Sequence, residues 1–170
     1  MGEMAKRITK IDTEELVKIL NQAYAEEWLA YYQYWLGAKV AAGQMRSNII
    51  EEFEEHAKEE LEHANMLADR IIQLGGTPVL HPDDWSKLAK CKYEAPSQED
   101  TFILVKQNLD AERCAVGRYQ GICDLTFGKD FETYRIVEHL LKDELAHEQE
   151  MEDFLKDMKI AKDFYQHKEN

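Results

Sequence analysis

Residues 53–74, which read FEEHAKEELEHANMLADRIIQL, decide the fold. Apolar residues recur there at alternating spacings of four and three, which is the stripe of a helix that packs into a bundle. Three other segments repeat this spacing, and no strand-like alternation competes with it. The sequence therefore predicts an all-α fold, a four-helix bundle. The four stripes are Leu16, Leu20, Ala23, Glu27, Ala30, Tyr34 and Ala38; Phe53, Ala57, Glu60, Ala64, Leu67, Ile71 and Leu74; Val105, Leu109, Glu112, Val116, Tyr119 and Cys123; and Tyr134, Val137, Leu141, Glu144, Met151, Leu155 and Met158.

Polar residues that accept hydrogen bonds from first-turn amides predict where these helices begin. The caps are expected at Asp12, at Ser47, at Ser97 with Asp100 three residues later, and at Asp130. Glycines at the turns separate the helices, and the fourth helix is predicted to run to about residue 165.

The chain is predicted to form one domain, a bundle over residues 12–166 that follows an N-terminal tail at 1–11. A long crossover, residues 75–98, joins the second and third helices and contains all three prolines. Within it, Pro82 is expected to begin a short helix that runs to about Lys90.

Length and composition exclude several classes of protein. With 170 residues, 44% hydrophobic and 32% charged, the chain can bury a core and is not of the disordered type. The longest aliphatic run, 102–105, is far shorter than the roughly 20 residues that span a bilayer. No apolar segment follows the basic residues of 1–11, so a cytoplasmic location is expected.

The 21 basic and 34 acidic residues give a net charge of −13, which repels phosphate backbones, so DNA binding is not expected.

One glutamate occupies an apolar position in each stripe: Glu27, Glu60, Glu112 and Glu144. Burial of an ionised carboxylate costs several kcal/mol, so four in one small core need a compensating charge. The alternative is that they are edge residues in contact with water. Glu27 and Glu60 lie 33 residues apart and Glu112 and Glu144 lie 32 apart, so in each hairpin both glutamates are about 24 Å from the bend at 1.5 Å per residue. The two halves resemble a repeated hairpin that brings the four carboxylates together at mid-bundle.

Two histidines complete the pattern, because Glu60 and His63, like Glu144 and His147, form Glu-x-x-His and project from one helical face. One glutamate from each of two helices and Glu-x-x-His from each of the other two is the di-iron carboxylate arrangement. Four carboxylates and two divalent cations make a neutral site. Carboxylates with one imidazole per metal suit iron, and manganese or zinc as substitutes. Each histidine is expected to hold a further carboxylate or carbonyl on its outer nitrogen.

These residues resemble the ferritin-like superfamily, and within it the bacterioferritin-type di-iron centre, over about residues 20–155. The resemblance rests on residues 27–34 (EWLAYYQY), on Glu60 and His63, on residues 108–112 (NLDAE) and on residues 143–147 (DELAH). It implies terminal ligands at Glu27 and Glu112 and bridging ligands at Glu60 and Glu144.

Two departures from bacterioferritin narrow the resemblance. Leu61 stands where bacterioferritins carry the haem-binding methionine, so haem is not expected, and the short fifth helix of 24-subunit cages is not apparent after His147. The crossover helix near Trp85 resembles that of Dps-type mini-ferritins, which form 12-subunit shells. Together with Cys114 and Cys123, these features resemble the Dps-like thioferritin subgroup, which implies peroxide detoxification and a cysteine pair near the centre.

The cysteine pairing is left open by the residues themselves. Cys114 and Cys123 would lie about 13.5 Å apart on opposite faces of a straight helix, whereas a disulfide needs Cα atoms within roughly 7 Å. A bridge requires a helix break near Gly117 or Gly121, or a different partner such as Cys91. Otherwise these cysteines are small buried hydrophobes rather than redox groups.

Tyr34 and Tyr119 each follow a ligand glutamate by seven residues and are either electron donors to the site or core aromatics. His56 shares a face with Glu60 and lies either on an iron route or in solvent. The resemblance implies an iron-oxidising mini-ferritin, a ferroxidase that binds two Fe(II), oxidises them with H₂O₂ or O₂, stores ferric mineral in a homo-oligomeric 12-subunit shell and protects against oxidative stress. The alternatives are a rubrerythrin-like peroxidase or manganese catalase without storage, and a metal-free helical interaction module.

Overall fold

The computed structural model describes the backbone of residues 3–166 and the side chains of residues 3–164. Four long antiparallel helices form a bundle, as the sequence predicts, and no β-strand forms within the described range. In chain order the helices are α1 Glu3–Ile8, α2 Thr13–Val40, α3 Arg46–Gln73, α4 Trp85–Leu88 (entered through a 3₁₀ turn, Pro82–Asp84), α5 Thr101–Thr126 and α6 Phe131–Gln166. The predicted tail contains α1, and its residues 1 and 2 lie outside the described range. No described helix is both long enough and apolar enough to cross a membrane.

Two of the predicted caps are present. The Asp12 carboxylate accepts hydrogen bonds from the amides of Glu14 and Glu15 at 2.9 and 3.0 Å. Asp130 accepts one from the Thr133 amide at 2.9 Å. Each carboxylate thereby satisfies amides that have no partner within the first turn of its helix.

The other two cap predictions are wrong. Asp100, rather than Ser97, caps α5, because the Asp100 carboxylate reaches the Phe102 amide at 2.9 Å. Ser47 lies in the first turn of α3, whose cap position is taken by Met45 in the left-handed region at φ 56° with no side-chain hydrogen bond. The start of α5 holds this turn instead, since the Thr101 hydroxyl donates to the Gln44 carbonyl at 2.7 Å.

The bundle core consists of two apolar clusters with a polar layer between them along the bundle axis. One cluster contains Leu16, Leu20, Leu67, Ile71 and Leu140. The other contains Phe53, Leu104, Val105, Met151 and Met158, among others. The stripe glutamates lie in the layer between, so both ends of that layer are closed by packed hydrocarbon.

A buried ion pair joins the two hairpins at one end of the bundle. Arg70 of α3 donates two hydrogen bonds to the Asp130 carboxylate, at 2.9 and 2.7 Å, and one to the Thr133 hydroxyl at 2.8 Å. Arg70 is 1% exposed and Asp130 is 3% exposed. The residue that caps α6 therefore also fixes α6 to α3.

Candidate metal centre

All six predicted ligands meet at the middle of the bundle. α2 supplies one glutamate, α5 supplies another, and α3 and α6 each supply a glutamate and a histidine one helical turn apart. Each of these residues is between 1% and 3% exposed, which removes the alternative of water-exposed edge positions. The six are Glu27, Glu60, His63, Glu112, Glu144 and His147.

Three carboxylates surround each histidine. The Nδ1 of His63 lies 3.4 Å from Glu27, 3.3 Å from Glu60 and 3.3 Å from Glu144. The Nδ1 of His147 lies 3.8 Å from Glu112, 3.5 Å from Glu60 and 3.5 Å from Glu144. The six side chains therefore form two adjacent groups of four, each with one imidazole.

Glu60 and Glu144 belong to both groups, whereas Glu27 and Glu112 belong to one each. Glu60 turns Oε2 toward His63 and Oε1 toward His147. Glu144 does the reverse, with Oε1 toward His63 and Oε2 toward His147. Two carboxylates that each present one oxygen to either group have the geometry needed to bridge a pair of cations.

Each histidine also faces an acidic side chain on its outer nitrogen. The Nε2 of His63 lies 3.4 Å from Asp143, and the Nε2 of His147 lies 2.7 Å from Glu59. Such partners orient an imidazole and direct its inner nitrogen at a metal. The sequence predicted that these partners exist but did not identify them. A signal for them is present in the sequence. Asp143, the partner of His63, directly precedes Glu144 on α6, and Glu59, the partner of His147, directly precedes Glu60 on α3.

Two tyrosines bond to the two unshared glutamates. The Tyr34 hydroxyl donates a hydrogen bond to Glu112, and the Tyr119 hydroxyl donates one to Glu27. Both rings are at most 1% exposed. The tyrosines therefore contact ligand side chains directly, and each links α2 to α5.

Burial and the surrounding charges shift the pKa values of the centre in opposite directions. Burial raises the pKa of Glu27 and of Glu112 well above the usual range, and the charges of Glu60 and Glu144 raise them further. Burial alone would lower the pKa of both ligand histidines, but the surrounding carboxylates outweigh it and raise the pKa. Burial alone would raise the pKa of Glu60 and Glu144, but hydrogen bonds with the two histidines contribute to lowering it.

Several inward atoms of the centre have no hydrogen-bond partner among the described residues. They are one oxygen each of Glu27 and Glu60, both oxygens of Glu144, and the Nδ1 atoms of His63 and His147. Unpartnered buried polar atoms are rare and costly in folded proteins. Here they converge on one place, and carboxylate oxygens with imidazole nitrogens are a donor set that fits divalent iron, manganese or zinc.

The crossover covers this centre on the α2 and α5 side. A cavity of about 40 Å³ reaches Glu27, Glu60, Glu112 and Glu144 beneath residues 91–93. The buried Glu26 carboxylate accepts hydrogen bonds from the amides of Lys90 and Cys91 at 2.6 and 3.1 Å. Arg118 donates to the same carboxylate at 2.6 Å, which balances its charge.

A disulfide fastens the crossover to α5. Cys91 and Cys114 are bridged, with their Cα atoms 5.7 Å apart, and Cys123 is buried and unpaired. The structure does not bring the predicted redox residues Cys114 and Cys123 together, because α5 runs unbroken through Gly117 and Gly121. Of the pairings that the sequence left open, the one with Cys91 is formed.

Comparisons with known proteins agree with this architecture. The family model described as "Ferritin-like domain" matches residues 17–161. A "DNA protection during starvation protein" of Pyrococcus furiosus is 37% identical over 148 residues, which cover 86% of this chain and 80% of the relative.

Solved structures share the fold. A dodecameric thioferritin, the bacterioferritin-related protein of Bacteroides fragilis, superposes with a TM-score of 0.95 at 48% identity and covers 96% of this chain and 99% of its own. Dps from Thermosynechococcus elongatus superposes with a TM-score of 0.79 at 20% identity, over 84% of this chain and 90% of its own, a likeness in fold alone. With its matched residues spanning the whole bundle, the chain belongs to the ferritin-like domain family, as a Dps-type mini-ferritin.

Proposed function

We propose that this protein is a ferroxidase that binds two Fe(II) ions as substrate at Glu27, Glu60, His63, Glu112, Glu144 and His147 and oxidises them with H₂O₂ or O₂. The convergence of unpartnered ligand atoms in a buried, carboxylate-rich layer carries this proposal. Two divalent ions would neutralise the four carboxylates and give those atoms partners. The shared oxygens of Glu60 and Glu144 suit bridging roles, and Glu27 and Glu112 suit terminal ones.

The reaction with peroxide balances within one centre. Each Fe(II) gives up one electron, the O–O bond of H₂O₂ accepts both, and two protons complete two molecules of water. Because both electrons arrive together, no hydroxyl radical is released, and this would make the activity protective. The cavity beneath residues 91–93 is large enough for a molecule of that size to approach the carboxylates.

Tyr34 is placed to act as an electron donor when peroxide meets a centre that holds a single Fe(II). Its hydroxyl hydrogen-bonds to Glu112, which would be a ligand of that ion. We expect a tyrosyl radical signal by electron paramagnetic resonance after peroxide addition at one Fe(II) per chain. Tyr34→Phe should abolish that signal, and Tyr24→Phe, which changes a tyrosine that packs on an apolar cluster, should preserve it.

Storage requires an assembled shell. The thioferritin of Bacteroides fragilis is dodecameric, and this chain is similar to it over nearly its whole length. That similarity supports a homo-oligomeric 12-subunit shell here. The net charge of −13 suits a surface that attracts cations, and ferric product would collect as mineral inside such a shell.

The test is an anaerobic Fe(II) titration of the assembled protein, followed by H₂O₂ and monitored by absorbance, with the native mass measured in parallel. The expected outcome is that the two irons of the dinuclear centre bind most tightly and give the first break at two irons per chain, after which H₂O₂ produces a ferric band that keeps growing as iron is added to a 12-subunit assembly. Glu60→Gln should lose the break, whereas Glu62→Gln, an exposed neighbour on α3, should retain it.

Other outcomes would reject the proposal. A dimer that consumes peroxide without accumulating ferric mineral would indicate a rubrerythrin-like peroxidase. Sustained O₂ release from H₂O₂ with manganese bound would indicate a catalase. Failure to bind any divalent ion would leave a helical interaction module.

A further inference from the structure

A second group of metal-ligating side chains lies beside the centre, between α3 and α6. The Nε2 of His56 lies 2.9 Å from the Glu150 carboxylate and 3.5 Å from the Glu52 carboxylate. These three residues can each direct one ligand atom at a common point, and none of them belongs to the dinuclear centre. His56 is 1% exposed, and its Nδ1 makes no hydrogen bond within the described residues.

A cavity adjoins this group. It has a volume of about 170 Å³, its wall includes the carboxylates of Glu52, Glu55, Glu59 and Glu150, and none of the described lysines or arginines lines it. The His56 ring stacks on His147 with 4.0 Å between ring centroids, so a single imidazole separates the cavity from the dinuclear centre. A space of this size with such walls can hold a hydrated cation.

The internal repeat shows that these residues have no polar counterparts in the other half of the bundle. Each centre residue of α3 has its counterpart in α6 84 positions later, as Glu60 has in Glu144 and His63 in His147. By the same shift, Glu52 corresponds to Ile136, His56 to Leu140 and Glu150 to Met66.

Those three counterparts pack together in an apolar cluster, where Leu140 is fully buried. The two equivalent places in the repeat thus differ: one is filled by apolar side chains, and the other, the polar version, is filled by Glu52, His56 and Glu150. Within the polar version His56 is the fully buried member, and a buried imidazole whose Nδ1 has no partner among the described residues costs free energy, so its presence needs a reason beyond packing.

Acidic side chains of the polar version lie close to one another. Burial, the nearby charge of Glu150 and a hydrogen bond with Glu150 raise the pKa of Glu52 to about 7. The charge of Glu55 raises it further, and the charge of His147 lowers it. A bound cation would offset the repulsion between these carboxylates.

We propose that Glu52, His56 and Glu150 bind a third cation, a divalent first-row transition ion, in the cavity beside the dinuclear centre. Two carboxylates balance a charge of +2. The imidazole selects against Ca²⁺ and Mg²⁺, which prefer oxygen ligands, and favours ions such as Zn²⁺, Fe²⁺ and Mn²⁺. Three protein ligands leave coordination positions for water from the cavity.

The test uses Zn²⁺, which binds without redox chemistry, on the assembled full-length protein. We expect three zinc ions per chain in competition with a chelator, and an anomalous scattering peak between Glu52, His56 and Glu150 in zinc-loaded crystals. Glu150→Met, which copies the residue of the other half, should weaken the third ion at least tenfold and leave the first two unchanged. Because the Glu150 side chain is 46% exposed, this change does not threaten the fold.

Two further variants make the outcome decisive. Glu51→Gln removes an equal charge from an exposed position of α3 and should retain three zinc ions. Glu60→Gln should weaken the pair at the dinuclear centre and retain the third ion, so failure of one site is distinguishable from failure of the other. Two ions per chain in the wild type, three ions in Glu150→Met, or no anomalous peak in the cavity would each overturn the proposal.

Discussion

The hydroxyl of Tyr119 donates a hydrogen bond to the carboxylate of Glu27, which ties the end of one ligand to a side chain on another helix. The Tyr34 hydroxyl does the same for Glu112, so both unshared carboxylates are held in place by a phenol from the opposite hairpin. Glu27 and Glu112 thus have one oxygen fixed and the other directed into the centre.

Tyr119→Phe should weaken binding of the ion next to His63 by about tenfold, the loss typical of a missing outer-shell hydrogen bond. The phenylalanine ring preserves packing, so the fold should remain intact. Calorimetric titration with Zn²⁺ would measure this change. Tyr24→Phe removes a hydroxyl from a tyrosine that packs on the apolar cluster and serves as the control. Equal zinc affinity in Tyr119→Phe and the wild type would contradict the prediction.

Metal binding should stabilise the protein. At a concentration 100 times the Kd, a bound ion adds about 2.7 kcal/mol to the free energy of unfolding. For a chain of this size this corresponds to a rise in Tm of about 5–10 °C. Differential scanning calorimetry with and without Zn²⁺ would show the rise in the wild type and in Glu62→Gln. In Glu60→Gln the rise should be much smaller, and an undiminished rise there would place the stabilising ion elsewhere.

Loading the centre should release protons. The raised pKa values of Glu27, Glu112, His63 and His147 favour their protonated forms, whereas metal ligands bind in their deprotonated forms. Affinity should therefore fall as the pH is lowered. Calorimetric titrations in buffers of different ionisation enthalpy should give up to four protons per pair of ions, two from carboxyls and two from imidazoles. Binding that releases none and has the same affinity at lower pH would show that the ligands are already deprotonated.

The Arg70 and Asp130 pair should make a large contribution to stability. Asp130→Asn leaves the buried guanidinium without its counter-charge, a change that costs about 3–5 kcal/mol in the free energy of unfolding. Although burial alone would raise the pKa of Asp130, the Thr133 amide and Arg70 outweigh it and lower the pKa. The pair therefore stabilises the fold above the ordinary aspartate pKa, near 3.9, and its contribution is lost as the pH falls through the lower pKa of the folded state.

Urea unfolding at neutral pH would measure the loss in Asp130→Asn, and a series in acid would test its origin. The difference between wild type and variant should shrink as Asp130 becomes protonated. A difference that stays constant down to the lowest pH would show that packing, rather than charge, accounts for it.

Opening the disulfide should destabilise the crossover. Cys91 and Cys114 are 23 positions apart in the sequence. A disulfide that closes a loop of this length lowers the entropy of the unfolded chain, which adds about 3 kcal/mol to the free energy of unfolding. The double variant Cys91→Ser with Cys114→Ser should have a free energy of unfolding that is lower by up to this amount, and its amide exchange in residues 85–95 should be faster. Cys123→Ala, a change at the unpaired cysteine, should leave that exchange unchanged, and crossover exchange that is the same in all three proteins would show that the disulfide does not hold the segment.

The sequence predicted the fold and the six buried ligands because both depend on local spacing. Helical periodicity placed Glu27, Glu60, Glu112 and Glu144 among apolar neighbours, and matched distances from the two bends brought them to one level. The error at Ser47 arose because the start of α5 holds the turn before α3, and the error at Ser97 arose because Asp100, three residues later, takes the cap position. The contacts of Cys91 and Glu26, and those of the outer partners Glu59 and Asp143, depend on which segments meet in three dimensions. The spacing of residues within one helix does not reveal such contacts.

The repeated hairpin has a consequence for how small such a protein could be. α2 and α3 alone carry Glu27, Glu60 and His63, which is half of the ligand set in the order that α5 and α6 repeat. Two identical copies of one hairpin, associated about a twofold axis, would supply all six ligands from a chain half as long.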